Sequence, residues 1–242
     1  MNRIKLDAID STNDFLKKLS SADDLENFTV VTAENQTNGK GQMGAKWDSE
    51  SGKNLIMSVL VKDFLTDNNQ LFSLNMIFSI AVIDALKSFE IPNFSIKWPN
   101  DILSGNKKIG GILIENSIKS DGSITSVIGL GLNVNQTNFQ NLPKASSLKL
   151  ICDRHFDKEA LLETIITNLF QAIQLWKQAP LTLHKNYVEN LFKKGIPMPF
   201  ENRNGQRFMG MISGITPEGK LQILREDDSV AIFELKEISM LY

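Results

Sequence analysis

Apolar and polar positions alternate between two periods along this chain. Ile4–Ile9 reads as a short strand, and Ser11 or Thr12 then caps a helix carrying Phe15, Leu16 and Leu19 on one face. The β-branched run Phe28–Ala33 predicts a buried strand, Glu34–Lys53 a long polar loop bearing glycines, and Leu55–Val61 another strand. Gln70–Phe89 is apolar around most of its circumference and predicts a well-buried helix. Ser73, Asn75, Ser79 and Asp84 interrupt it, so it does not read as a membrane span.

Phe94–Trp98 and Ile109–Glu115 predict strands flanking a turn at Ser104-Gly105-Asn106. Asp121-Gly122 predicts a further turn before the strand Ile124–Val134. Asp157 reads as the N-cap of a long helix whose Leu162, Ile165, Ile166, Leu169, Ile173 and Trp176 recur at helical spacing, and a second helix follows over about Leu181–Phe192. Gly195–Pro199 reads as a linker. Beyond it, short β runs alternate with turns at Asn204-Gly205, Pro217-Glu218-Gly219 and Asp227-Asp228. The expectation is an α+β domain over residues 1–193, a mixed sheet with helices, followed by a small β-barrel over residues 194–242.

The chain has 242 residues, 42% hydrophobic and 22% charged, with a formal net charge of −2, so no strong basic field is available to attract nucleic acid. One cysteine, Cys152, excludes an internal disulfide, and two histidines without a CxxC pair argue against structural zinc. MNRIKLDAID has no apolar core of signal-peptide length. No membrane association is expected, and a reducing cytoplasm is the default compartment.

Three segments carry candidate chemistry. In Gly39–Gly44 (GKGQMG), glycines free the backbone to turn N–H groups toward an anion and Lys40 adds charge; the plainer alternative is a flexible surface loop. In Lys97–Asp101 (KWPND), Pro99 biases Trp98 to extended backbone, which puts Asn100 and Asp101 in a loop at the strand tip. An acid, an amide and a lysine there suit Mg²⁺ and phosphate; the plainer alternative is a solvated corner with Trp98 in the core. In Lys107–Glu115 (KKIGGILIE), Lys108 before two glycines can point into a cleft, whereas Lys107 reads as an ordinary turn lysine. Gly129 and Gly131 lie in the strand SVIGLGLNVN, where backbone can approach a ligand. Trp47 can stack on a base or cap the core. Asp10-Ser11-Thr12-Asn13 can bond a polar ring or only cap a helix. Cys152 and His155 have no further orienting group, which argues against a cysteine nucleophile.

Taken in order, DSTN at Asp10–Asn13, AENQTNGKGQMGAKW at Ala33–Trp47, SGKNLIMSV at Ser51–Val59, KWPNDI at Lys97–Ile102, KKIGGILIE at Lys107–Glu115 and GLGLNVN at Gly129–Asn135 resemble the biotin protein ligase family. The resemblance implies a class II synthetase-like catalytic domain with an SH3-like C-terminal domain. It also implies an enzyme that adenylates biotin with ATP and Mg²⁺, then passes biotin to a lysine of a biotin-accepting domain. By the same resemblance Lys108 would be the main catalytic cation. Ser11, Thr12, Asn13, Gln36, Lys40, Gly41, Gln42, Lys108 and Gly110 would bind biotin. Lys40, Gln42, Trp47, Asn54, Lys97, Asn100 and Asn133 would bind ATP, Asp101 would hold Mg²⁺, and Glu237 would help close the nucleotide site.

Two departures stand out. Many members read GRGR where this chain reads GKGQ, so Gln42 removes a positive charge from the adenylate phosphate. The chain also starts about ten residues before DSTN. The N-terminal helix-turn-helix domain of some members is therefore not expected, nor is their repressor role. A monomer or a homodimer is compatible with the sequence. Lipoate–protein ligase is the nearest rival enzyme; a non-catalytic biotin sensor and a repressor are rivals of other classes.

Overall fold

The computed structural model describes residues 2–65, 67, 70–118, 120, 122–140 and 142–242. Its larger sheet contains β1 (Arg3–Ile9), β2 (Val30–Gln36), β3 (Leu55–Lys62), β4 (Phe94–Lys97), β5 (Asp101–Ser104), β6 (Lys107–Ile118) and β7 (Ile124–Leu132). The strand order is β1-β2-β3-β7-β6-β5-β4, parallel between β1 and β2 and antiparallel elsewhere.

Side chains of a strand alternate between faces, and this alternation divides the molecule. On β7, Ile128, Leu130 and Leu132 join Met57 and Val59 of β3 in the main core. That core is roofed by α2 (Leu71–Ser88), α4 (Lys158–Gln178) and α5 (Pro180–Glu189). On the opposite face Val127 and Leu60 pack with Leu16 of α1 (Thr12–Ala22) in a smaller cluster. Covering both faces explains why β3 reads as an unbroken apolar run. The same site-side face carries Ser58, Gly129 and Gly131.

The predicted α2 is observed within a residue of its expected ends. Among the described residues it is the one helix long and apolar enough to cross a membrane by length and composition, and it lies in the core. Two of its buried polar residues bond each other, Ser79 donating to Asn75 at 3.1 Å. Both predicted caps are present. Ser11 accepts from the Asp14 N–H, and Asp157 accepts from the N–H groups of Glu159 and Ala160.

Four expectations need correction. The KWPND tip is tighter than a loop: Asp101 pairs with Lys97 and opens β5, a four-residue strand too short to show a period. The Trp98–Pro99 peptide bond in that turn is cis. A five-residue helix, α3 (Leu148–Cys152), follows β7 unforeseen. The supposed linker is half strand, because β8 (Pro197–Asn202) begins at Pro197. Pro197 lies beyond the stretch paired with the C-terminal strand, which covers Phe200–Asn202, and the Pro199 carbonyl accepts from the Leu241 N–H. The C-terminal unit is also not a closed barrel. Strands β9 (Arg207–Ile215), β10 (Leu221–Arg225), β11 (Val230–Phe233) and β12 (Ile238–Met240) join β8 in an open five-stranded sheet ordered β11-β10-β9-β8-β12. The predicted Asp121-Gly122 turn involves Asp121, which lies outside the described residues. The two sheets share one apolar core, and the Trp98 indole donates to the Gly219 carbonyl at 2.8 Å.

The Asp157 cap gives a stability test. Asp157→Ala leaves two first-turn N–H groups of α4 without their acceptor. This should cost about 1 kcal/mol and lower the melting temperature by roughly 2–4 °C in differential scanning calorimetry.

Candidate active site

A cleft of about 730 Å³, part of it open to solvent, lies on the α1 side of the large sheet. Its floor exists because glycines on neighbouring strands are in register, Gly111 of β6 opposite Gly131 of β7 and Ser58 of β3 opposite Gly129. A Cβ on Gly129 would collide with the Asn13 amide, and one on Gly131 would collide with the Trp47 indole. The two bare positions are thus notches, one receiving the start of α1 and the other the glycine loop. A Cβ on Gly111 would sit 3.5 Å from Lys108 and 3.6 Å from Trp47.

One end of the cleft is a hydrogen-bonded polar cluster. The Thr12 N–H and hydroxyl both donate to Gln36 Oε1, at 2.8 and 3.0 Å. The buried Ser58 hydroxyl lies 2.8 Å from Thr12 Oγ1 and 2.6 Å from Asn13 Oδ1. Asn13 Nδ2 donates to Glu115 at 2.8 Å, and Lys17 pairs with the other Glu115 oxygen at 2.6 Å. Burial of this order fixes the orientation of each amide and hydroxyl, because an unpaired polar atom there costs about 1–3 kcal/mol.

Cations also line the cleft. Lys108 Nζ is 2.5 Å from Asp101 Oδ1, and Lys97 Nζ is 3.5 Å from Asp101 Oδ2. Lys108 Nζ also lies 5.8 Å from the Trp47 ring centre. The glycine loop is a small hairpin: Trp47 N donates to Gly39 O, Gly41 N to Ala45 O, and Lys40 and Lys46 form an antiparallel bridge. Its tip places Met43 and Gly44 at positive φ, 57° and 83°. Lys40 pairs with Asp14 at 2.5 Å. Burial pushes the Asp14 carboxyl up, but hydrogen bonds from Lys40 and Lys17 outweigh it and hold the pKa below the usual value. The buried Trp47 indole N–H has no partner among the described residues.

The description of the Biotin/lipoate A/B protein ligase family matches residues 6–135, more than half of the chain and every segment of the cleft described so far. The chain belongs to that family. Among its relatives, the Bifunctional ligase/repressor BirA of Escherichia coli is 25% identical over 240 residues, covering 97% of this chain and 73% of that protein. The Biotin--[acetyl-CoA-carboxylase] ligase of Mycobacterium tuberculosis is 29% identical over 215 residues, covering 87% and 79%. The solved structure of the biotin protein ligase from Aquifex aeolicus in complex with biotin and ATP matches with a TM-score of 0.80 at 26% identity, covering 99% of this chain and 98% of that one.

Most residues expected from the family resemblance meet in the cleft: Ser11, Thr12, Asn13, Gln36, Lys40, Gly41, Gln42, Trp47, Asn100, Asp101 and Lys108 all line it. Others do not. Asn54 bonds Gln136 and the Val134 N–H, and Asn133 donates to the Ser146 carbonyl, so both amides brace loops behind the sheet. A Cβ on Gly110 would abut the Gly131 carbonyl and Leu132, away from the cleft. Asn100 lines the cleft, yet its amide is committed to the Ile112 carbonyl at 2.6 Å.

Lys97 faces a second cleft, between the two sheets, that also holds Gln42, Lys144 and Tyr242. Glu237 accepts from the Glu234 N–H and lines neither cleft. Lys107 points away, to the Pro143 carbonyl. Burial pushes the Cys152 thiol up despite the charge of Arg154, so it is no ready nucleophile. No cluster of three His, Cys, Asp or Glu suited to a metal occurs among the described residues, and Asp101 sits between two ammonium groups. Protein residues alone therefore do not fit Mg²⁺ here.

Sequence reasoning overlooked Ser58. Its signal was a serine within the apolar run of β3, where a buried hydroxyl requires partners. Ser58→Ala should leave Thr12 and Asn13 short of a bond and lower the affinity for biotin, used as the probe, by about 1–2 kcal/mol, roughly fivefold to thirtyfold. Isothermal titration calorimetry against the wild type measures this, and an unchanged affinity would deny Ser58 a part in the cluster.

Proposed function

We propose that this ligase-family chain is an ATP-dependent biotin–protein ligase. In the first half-reaction a biotin carboxylate oxygen attacks the α-phosphorus of ATP. The bond to the bridging β-phosphate oxygen breaks and pyrophosphate leaves. In the second, the amine of an acceptor lysine attacks the acyl carbon of biotinoyl-AMP. The C–N bond forms, the C–O bond to AMP breaks, and the amine proton passes to solvent. The acceptor is the biotin-accepting domain of a biotin-dependent carboxylase, a partner expected to meet it in the cytoplasm.

One observation carries this reading. A cluster that suits a polar ring and an ammonium group suited to an oxyanion line one glycine-floored cleft. Thr12, Gln36 and Ser58 suit the donors and acceptors of a ureido ring. A lipoyl dithiolane offers these groups no hydrogen bond, which favours biotin over lipoate. Lys108, fixed by Asp101, suits the charge that builds as the carboxylate meets the α-phosphate and as the acyl carbon becomes tetrahedral. The Trp47 ring, which lines the cleft, suits stacking on the adenine ring. Mg²⁺ would accompany the ATP phosphates as counter-charge, and the Asp101 carboxylate is engaged by Lys97 and Lys108.

Two outcomes are expected. With biotin, ATP and Mg²⁺, the purified chain should add one biotinoyl group to a biotin-accepting domain, read as acceptor mass; octanoyl or lipoyl transfer in its place would overturn the reading. Lys108→Ala should slow biotin-dependent ATP–pyrophosphate exchange by roughly 10²–10³, equivalent to about 2.7–4 kcal/mol. Lys107→Ala should leave exchange near wild type, and equal losses at the two positions would refute the role given to Lys108.

A further inference from the structure

The charges of the glycine loop are unevenly committed. Three lysines line the catalytic cleft, and two have carboxylate partners, Lys40 with Asp14 and Lys108 with Asp101, each at 2.5 Å. Lys46 also lines the cleft and is exposed, and no ion pair engages it among the described residues. Its setting is unfavourable without an anion. In the antiparallel bridge Lys40 and Lys46 are directly opposed, so their side chains leave the hairpin on the same side. Like charges opposed in this way repel. Asp14 compensates one of them and nothing compensates the other.

Position 42, at the hairpin tip, is a neutral glutamine, and Ala45 beside Lys46 is too short to reach a ligand. Trp47 is seated in the Gly131 notch, so the residue before it is held at a fixed place on the cleft wall. The loop therefore presents one uncommitted cation, at position 46.

We propose that Lys46 is the loop residue that binds the phosphate of the acyl-adenylate, so that this hairpin holds the anion through position 46 and not through position 42. The inference rests on the adenylating reading above and deepens it. Lys46 neutralises the intermediate after pyrophosphate has left, and the bound phosphate relieves the repulsion from Lys40. Lys46 is a binding residue for the intermediate. The cation of the bond-making steps remains Lys108.

The test uses the full chain in three forms: wild type, Lys46→Met, which keeps an apolar stem without the charge, and Lys46→Arg. Biotin-dependent ATP–pyrophosphate exchange by the wild type is measured first. No exchange would bring down the adenylating reading, and this inference with it, before any variant is compared. With exchange present, the off-rate of biotinoyl-adenylate is measured at low and at physiological ionic strength. Lys46→Met should release the adenylate about tenfold faster, the equivalent of about 1.4 kcal/mol. Its off-rate should also respond less to salt than the wild type's, because screening acts on the charge that was removed. Lys46→Arg should stay within about twofold of wild type. A Lys46→Met off-rate equal to the wild type's would overturn the inference while leaving the ligase reading intact, and so would a Lys46→Arg variant as leaky as Lys46→Met.

Discussion

Two missing side chains on one strand hold the site together. Gly129 and Gly131 are two residues apart on β7, so both face the same side of the sheet, about 6.6–7 Å apart. Asn13 fills the first gap and Trp47 the second. The start of α1 and the glycine loop lie far apart in the chain, yet each is keyed to the same strand. Ser58, opposite Gly129, then reaches Asn13 and Thr12 across the floor. A methyl group at either glycine would lift one wall of the cleft off its base.

From that base the electrostatics follow. The sheet interior offers little water, so each charge near the floor needs a partner. The network supplies them in sequence: Glu115 takes Lys17 and Asn13, Asp14 takes Lys17 and Lys40, and Asp101 takes Lys108 and Lys97. These pairs are partly exposed, and their worth for stability is small. Their effect is positional. They aim two ammonium groups along the cleft and leave Lys46 as its uncommitted charge.

Much of this was legible in the sequence, and the gaps have physical causes. The strand Leu55–Val61 and the helices from Leu71 and Lys158 declared themselves through long apolar periods and caps. Thr12, Gln36 and Lys108 were named through the resemblance of their segments to the family, and all three line the cleft. Register was invisible: nothing local says that Gly111 faces Gly131, or that Ser58 lies across from Gly129, since strand pairing is a long-range property. Asn54 and Asn133 looked like ligand residues because their segments match the family, but each amide satisfies buried backbone or side-chain groups. β5 was too short to carry a period, and Pro197 and Pro199 disguised a strand as a linker. The closed barrel failed for a similar reason. Alternation identifies strands but does not say whether the first and last of them meet, and here β11 and β12 lie at opposite edges of an open sheet.

The most direct measurement is calorimetric titration of biotin into the wild type and into Gly129→Ala. The added methyl would meet the Asn13 amide and displace the Thr12, Asn13 and Ser58 cluster while leaving the Lys108–Asp101 pair in place. The account predicts saturable biotin binding by the wild type and at least a tenfold loss of affinity in the variant, about 1.4 kcal/mol, with the folded state retained. Equal affinity in the two proteins, or no biotin binding by the wild type, would contradict it.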